Sequence, residues 1–317
     1  MKFEVYDYDK VLQENDSATV KEIYVNDRRE KLEEIFTNGY PQGNTSHINK
    51  LDENFRWRKG FLYAFSGYPQ SGKSEILNWF MVLVARMNKE KICMYSPESN
   101  TNELICNLAR AYLGKNVDKE FDNVCSKDEW NEALNFVDDH FVFLENTDEM
   151  PSIKTLVEAF EKLQKKDYTY FLIDPLNWVY ESTQNDNIYN YLKLSLTSLK
   201  QFAKTNDVTM IYVEHPKTPT PVRSKGISTI PRATAFSLAG GTMHYNKCDV
   251  MVIMHKLNDE ELEEMVKSGE ILSKILDNNS KNIKFVLFES VKIKSQRING
   301  IPGKVILQYD LITGRYK

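Results

Sequence analysis

Phe61-Leu-Tyr-Ala-Phe-Ser-Gly67-Tyr68-Pro69-Gln70-Ser71-Gly72-Lys73-Ser74 reads as an apolar strand running into G-x-x-x-x-G-K-S, and from Lys73 to Asn88 the sequence continues as a helix. Strand, glycine-rich turn and helix start, in that order, form a phosphate cradle. The N–H groups of the turn and of the helix N-terminus face the anion. Gly67, Tyr68, Pro69, Gln70, Ser71 and Gly72 would shape the loop. Lys73 would neutralise the β- and γ-phosphates of ATP, and the Ser74 hydroxyl would hold Mg²⁺. A chance Gly-Lys-Ser loop has no reason to carry both flanks.

Outward from that stretch, short apolar runs alternate with long helical ones. Candidate strands lie at Phe61–Ser66, Lys91–Ser96, Phe141–Glu145, Tyr168–Ile173, Val208–Glu214, Asp249–His255, Lys284–Lys292 and Lys304–Tyr309. Candidate helices lie at about Lys73–Asn88, Thr101–Leu113, Lys127–Asp138, Ser152–Lys166 and Asn187–Thr205. Buried-looking strands joined by crossover helices imply an α/β fold, a mainly parallel sheet covered on both faces. The last two strands follow one another directly, so that edge is expected to be antiparallel. Residues 51–317 make one ATPase-sized domain. Residues 1–50 are an N-terminal extension and linker, in which Thr19–Phe36 reads as a charge-rich helix with Ile23, Leu32, Ile35 and Phe36 as apolar anchors. That helix packs on its own domain or docks on a neighbouring subunit.

The chain has 317 residues, with 41 Lys+Arg against 45 Asp+Glu and a net charge of −4. Bulk charge therefore does not coat DNA here, although a local basic groove is compatible with it. The longest wholly apolar run, Trp79–Ala85, falls far short of the roughly 18 residues of a membrane span. The polar N-terminus and four widely spaced cysteines point to a cytoplasmic protein without a zinc or disulfide framework.

Three further strand ends carry chemistry. Tyr168–Ile173 runs into Asp174, a single carboxylate suited to hold Mg²⁺ through water; a helix cap is the plainer use of such an aspartate. Lys91-Ile-Cys-Met-Tyr-Ser-Pro-Glu98 ends in Glu98, a candidate base for the attacking water or else a charge favoured by a helix dipole. Val208–Glu214 runs into His215, placed to sense the γ-phosphate or simply hydrogen-bonded at the surface. Pro216–Gly241 then holds Lys217, Arg223, Lys225 and Arg232 and no acidic residue. It reads as a long mobile loop that meets a polyanion without reading its sequence.

From about Phe36 to the C-terminus, the ordered series NGYPQGNTSHINKLDENFRWRKG, GYPQSGKSEILNWF, YSPES, FLIDPLNWV, VEHPK, LAGGTMHYNKCDV and QYDLITGRY resembles the ATPase domain of hexameric replicative DNA helicases. The likeness is nearest the Twinkle-like branch, related to the helicase half of phage primase–helicases and to DnaB. It implies a RecA-like core, ring hexamers with ATP and Mg²⁺ at subunit interfaces, and 5′→3′ movement on single-stranded DNA at a replication fork. A primase or polymerase is an implied further partner. By position, Lys73, Ser74, Glu98, Asp174 and His215 inherit the roles argued above. Gly240–Lys247, with Lys247, matches the DNA-facing loop. Val291–Arg297 resembles the K-x-R finger that completes a neighbour's site. Lys292 and Lys294 keep its alternation and Arg297 its residue type; Arg297 is the expected finger, with Lys294 as partner or substitute. Relatives of this kind usually carry a primase-like region before the ATPase domain, so a compact phage-type helicase or an excised domain is expected, without priming. The alternatives are a RecA-like recombinase and an ATP-binding loader that hydrolyses little.

Overall fold

Leu62 and Ala64 face one side of the central strand, Tyr63 and Phe65 the other, and all four are fully buried. Such a strand must have layers on both faces. In a computed structural model, the structure describes residues 22–120, 123–146, 150–180, 188–219, 222–224, 227–229, 231–269 and 282–317. It divides into two compact units, Met1–Gln42 and Gly43–Lys317.

In the first unit a 3₁₀ turn, Val25–Arg28, leads into helix α1, Arg29–Asn38, which stops at Gly39 with φ +79°. The helix expected over Thr19–Phe36 thus starts later and runs further; residues 19–21 lie outside the described ones. None of its residues is buried, and Phe36 is 92% exposed.

The second unit is built on β3 (Leu62–Ser66), α2 (Lys73–Asn88), β4 (Lys91–Tyr95), α3 (Thr101–Leu113), α4 (Lys127–His140), β5 (Phe141–Leu144), α5 (Ile153–Gln164), β6 (Tyr168–Ile173), α6 (Asn177–Tyr180), α7 (Ile188–Asn206) and β7 (Thr209–Glu214). A two-residue ribbon, β1 (Asn44–Thr45) with β2 (Arg56–Trp57), precedes them. After β7 come the hairpin β8 (Val222–Ser224) and β9 (Ile227–Thr229), then α8 (Thr242–Lys247), β10 (Val250–Lys256), α9 (Asp259–Lys267), β11 (Ile283–Ile293), α10 (Gln296–Asn299), β12 (Gly303–Asp310) and β13 (Arg315–Tyr316). The main sheet has the order β13-β12-β11-β10-β3-β7-β6-β4-β5. It is parallel from β10 to β5 and antiparallel from β10 to β13, as the sequence pattern implied.

Helix starts follow the local chemistry. Asn100 caps α3, Ser126 and Glu129 form a reciprocal box on α4, and the Ser152 hydroxyl caps α5. One face of the sheet is sealed by rings from distant segments, with Phe55 stacked on Phe80 and edge-on to Trp57 and Phe288. Phe160, Phe171 and Phe202 pack under the other face.

One expectation is corrected. Pro216–Gly241 is not structureless: Pro216 bridges to Leu238, the β8–β9 hairpin stands inside the segment, and Thr234 and Ser237 close a side-chain-bonded turn. Turn-rich composition hid a hairpin whose strands are three residues each, too short for an alternating pattern to register.

Candidate nucleotide and nucleic-acid site

The phosphate loop leaves β3 through backbone that side chains resist. Gly67, Gln70 and Gly72 have φ of +154°, +62° and +86°. A Cβ on Gly67 would lie 2.3 Å from the Met254 carbonyl oxygen, and one on Gly72 would lie 2.4 Å from the Tyr316 hydroxyl. The two glycines are therefore steric requirements. Lys73 folds back across the loop, its Nζ donating to the carbonyls of Gly67 (2.9 Å) and Tyr68 (3.1 Å). Burial lowers its pKa, while the charges of Asp174, Glu75 and Glu98 pull it back up.

Ser74 and Asp174 meet as the sequence suggested. The Ser74 hydroxyl donates to Asp174 Oδ2 at 2.7 Å. Burial pushes Asp174 up to about 6, against that hydrogen bond and the Lys73 charge. A buried carboxylate beside a hydroxyl at the mouth of a phosphate loop is an all-oxygen donor set of the kind Mg²⁺ takes. These two residues would hold the ion.

Glu98 and His215 come to the same edge from β4 and β7. Glu98 Oε2 stands 3.8 Å from His215 Nε2, and Glu98 Oε1 accepts a hydrogen bond from the indole N–H of Trp178. Lys73, Ser74, Asp174, Glu98 and His215 thus converge at the carboxyl ends of four strands adjacent in the sheet, β3, β7, β6 and β4. That is where open α/β sheets bind ligands. A cavity of about 370 Å³ opens from Ser74 and Asp174 and is also lined by Glu75, Arg110, Tyr309 and Gly314. The C-terminus braces it: Tyr316 donates its hydroxyl to the Gly72 carbonyl at 3.0 Å, and Trp79 donates its indole N–H to the Tyr316 carbonyl at 3.1 Å. Trp178, Arg110 and Tyr309 escaped residue-level reading. Trp178 and Tyr309 lie inside the quoted series, yet nothing in their spacing shows that they face the phosphate edge.

The basic candidates separate by what they already touch. Lys217 is exposed at the base of its loop. Arg223 lies in β8 with its side chain outside the description, and Lys225 lies outside the described residues. Arg232 is occupied within the chain, Nη2 and Nε reaching Glu261 Oε1 at 2.8 and 3.0 Å, and Glu261 also bonds His255 at 2.9 Å. Lys247 donates to the Thr197 hydroxyl at 2.8 Å. Lys292 bonds the Tyr245 carbonyl and sits 4.9 Å above the Tyr245 ring. Lys294 pairs with Asp249 at 2.9 Å, beside Lys200 at 2.8 Å. Arg297 is exposed, and among the described residues nothing bonds its guanidinium. Since Ile293 pairs with Val250, and Val250 with Tyr63, Arg297 lies beyond the amino end of β3. Its own phosphate loop is a strand length away, at least about 13 Å at 3.3 Å per residue.

This fold has counterparts among known proteins. The chain matches a solved ATPase domain at a TM-score of 0.69 and 16% identity, covering 93% of this chain and 99% of that one. The chain carries a RecA-like α/β fold. A DnaB-like replicative helicase, solved in a study of its interactions with primase, matches at 0.69 and 17% identity over 97% of this chain and 70% of the other. In sequence, the chain is 24% identical over 294 residues to the Twinkle homolog protein, chloroplastic/mitochondrial, of Arabidopsis thaliana. That match takes in 88% of this chain and 37% of the relative, so the chain spans little more than a third of that relative's length. No protein-family model matches the chain. The resemblance to Twinkle- and DnaB-type helicase ATPase domains therefore holds in sequence and in fold. Among the described residues, no helix is long and apolar enough to cross a membrane.

Proposed function

We propose that this chain is the motor of an ATP-driven DNA helicase that moves 5′→3′ on single-stranded DNA and unwinds duplex at a fork. The observation that carries this reading is the split between two sheet edges. Five residues of a hydrolytic site meet at the carboxyl edge, while Arg297, which no described residue bonds, stands at the other. A site of that design is completed by a second copy of the chain, as in a ring. The exposed apolar side chains of α1, Leu32 and Phe36, supply a surface for such a copy.

In the reaction, Lys73 leaves its two carbonyls for the β- and γ-phosphates of ATP. Ser74 and Asp174 would hold Mg²⁺, which would supply neutralisation of charge on the transferring phosphoryl group. Glu98 accepts a proton from the attacking water, and His215, beside it, senses the γ-phosphate. Arg297 of the neighbouring subunit grips γ-phosphate oxygens as charge develops, a task for which a planar guanidinium is suited. Lys217, Lys247 and the β8–β9 hairpin carry the strand through phosphate contacts. Primase or polymerase at the same fork are the further partners of this reading.

The test is unwinding of forked duplexes with ATP and Mg²⁺. A fork with a free 5′ tail should open and one with only a 3′ tail should not. Strand exchange without unwinding would mean a recombinase, and ATP binding without turnover a loader.

A further inference from the structure

Glu98 sits third in a four-residue turn, Ser96–Ser99, closed by the Ser99 N–H donating to the Ser96 carbonyl at 3.1 Å. Pro97 supplies the fixed φ that the second position of such a turn favours. The turn is tied to the next strand end, since the Ser96 hydroxyl donates to the Asp174 carbonyl at 3.1 Å and the Asp174 N–H to the Tyr95 carbonyl at 3.0 Å. The main chain beneath Glu98 is therefore held. What remains free is the glutamate side chain, a flexible stem that is 41% exposed.

Trp178 holds that stem. Its helix, α6, is pinned by Leu176 and Val179, both fully buried, and the Leu176 N–H donates to the Val213 carbonyl at 2.8 Å. Between them the Trp178 indole turns outward, about a third exposed, and spends its N–H on Glu98 Oε1. An indole N–H only donates, so it fixes a carboxylate oxygen without competing for a proton. The other oxygen, Oε2, is left on the side of His215.

We propose that Trp178 is the positioning residue for Glu98, holding Oε1 so that Oε2 faces the attacking water. This rests on the reading of Glu98 as the base in ATP hydrolysis. In that step Oε2 takes a proton from water as the water oxygen bonds to the γ-phosphorus. The bond from that phosphorus to the β–γ bridging oxygen breaks, and ADP keeps its electron pair. A base with an unrestrained stem spends much of its time elsewhere, and a misplacement of an ångström costs on the order of a hundredfold in rate.

Trp178→Phe keeps most of the bulk and removes the donor. ATP turnover stimulated by single-stranded DNA should fall roughly ten- to a hundredfold in kcat. KM for ATP and the thermal midpoint should stay at their wild-type values, because neither nucleotide binding nor the core uses the N–H. In the double variant Trp178→Phe/Glu98→Gln, turnover should be no slower than in Glu98→Gln alone, as for residues acting through one another. Losses that multiply, or wild-type kcat in Trp178→Phe, overturn the proposal. Full turnover in Glu98→Gln by itself overturns the role of Glu98, a separate outcome. If Trp178→Phe does not fold, tryptophan emission of Glu98→Ala decides: it should differ from wild type as the indole loses its carboxylate, and an unchanged spectrum overturns the contact.

Discussion

Lys73 has two partners in its own loop, the carbonyls of Gly67 and Tyr68, which hold its ammonium over the phosphate turn. The side chain is thus already in place, and binding exchanges neutral acceptors for charged ones, which bond more strongly. Lys73→Ala should abolish hydrolysis and weaken nucleotide binding, read by turnover and by titration with a fluorescent ATP analogue. Glu98→Gln should bind that analogue as wild type does while turnover falls by about 10²–10⁴, the usual contribution of a positioned base. Retained turnover would remove Glu98 from the mechanism. Both residues were legible in position, because that follows from where a strand ends. Trp178 was not, since its contact with Glu98 spans 80 positions. Neither were Arg110 and Tyr309, which share a cavity only because the antiparallel edge brings the C-terminus back to α3.

Among the elements, strands buried on both faces announced themselves as unbroken apolar runs, and the observed β3, β4, β6, β7 and β10 lie within a residue or two of expectation. The ribbon β1–β2 and strand β13 did not, because two residues show no period. Helix α9, Asp-Glu-Glu-Leu-Glu-Glu-Met-Val-Lys, was missed although Leu262, Met265 and Val266 share one side of it, because its five acidic residues make a nine-residue run read as a solvated segment. That acidic helix changes what is expected of the basic loop. Arg232 is neutralised by Glu261, so Arg232→Ala should leave the slope of log K against log salt for single-stranded DNA unchanged. Glu261→Gln should release the guanidinium and steepen that slope by about 0.7, the value of one phosphate contact on a single strand. A shallower slope in Arg232→Ala would show that the arginine leaves Glu261 for the strand. Another link runs from β7 to α8. His244 is fully buried; its Nε2–H donates to the Ala239 carbonyl at 2.8 Å, its Nδ1 accepts from the Tyr212 hydroxyl at 3.2 Å, and Glu214 Oε2 lies 3.9 Å away. Burial pushes its pKa from 6.5 down to about 4. Between those values the unfolded chain binds the proton and the folded one does not, so this contribution to stability is present above pH 6.5 and is lost as pH falls toward 4. From pH 7 to pH 5 the wild type should lose about 2 kcal/mol more than His244→Gln in urea denaturation. Parallel losses in the two proteins would show that His244 does not titrate this way.

At the scale of the whole molecule, the phosphate loop and the proposed finger cannot meet within one chain. The phosphate loop leaves the carboxyl end of β3, and Arg297 projects beyond its amino end, after β11 has run the length of β10 in the opposite direction. The neighbouring cations are already engaged, Lys292 with Tyr245 and Lys294 with Asp249, which leaves Arg297 to reach outward. Asp249 is nearly buried and shared by Lys200 and Lys294, so removing Lys294 to serve a distant phosphate would leave a carboxylate short of charge. Arg297→Ala should therefore preserve nucleotide binding while ATPase stimulation by single-stranded DNA collapses. Lys294→Ala should reduce stability more than stimulation. Lys73→Ala subunits are the complement, with an intact finger and a dead phosphate loop. In a mixture of the two variants, some interfaces join an intact loop to an intact finger, and those alone should turn over. Activity should thus appear on mixing two inactive proteins and rise with total concentration as shared rings form. If mass measurement confirms mixed rings and no activity returns, Arg297 does not act on its neighbour.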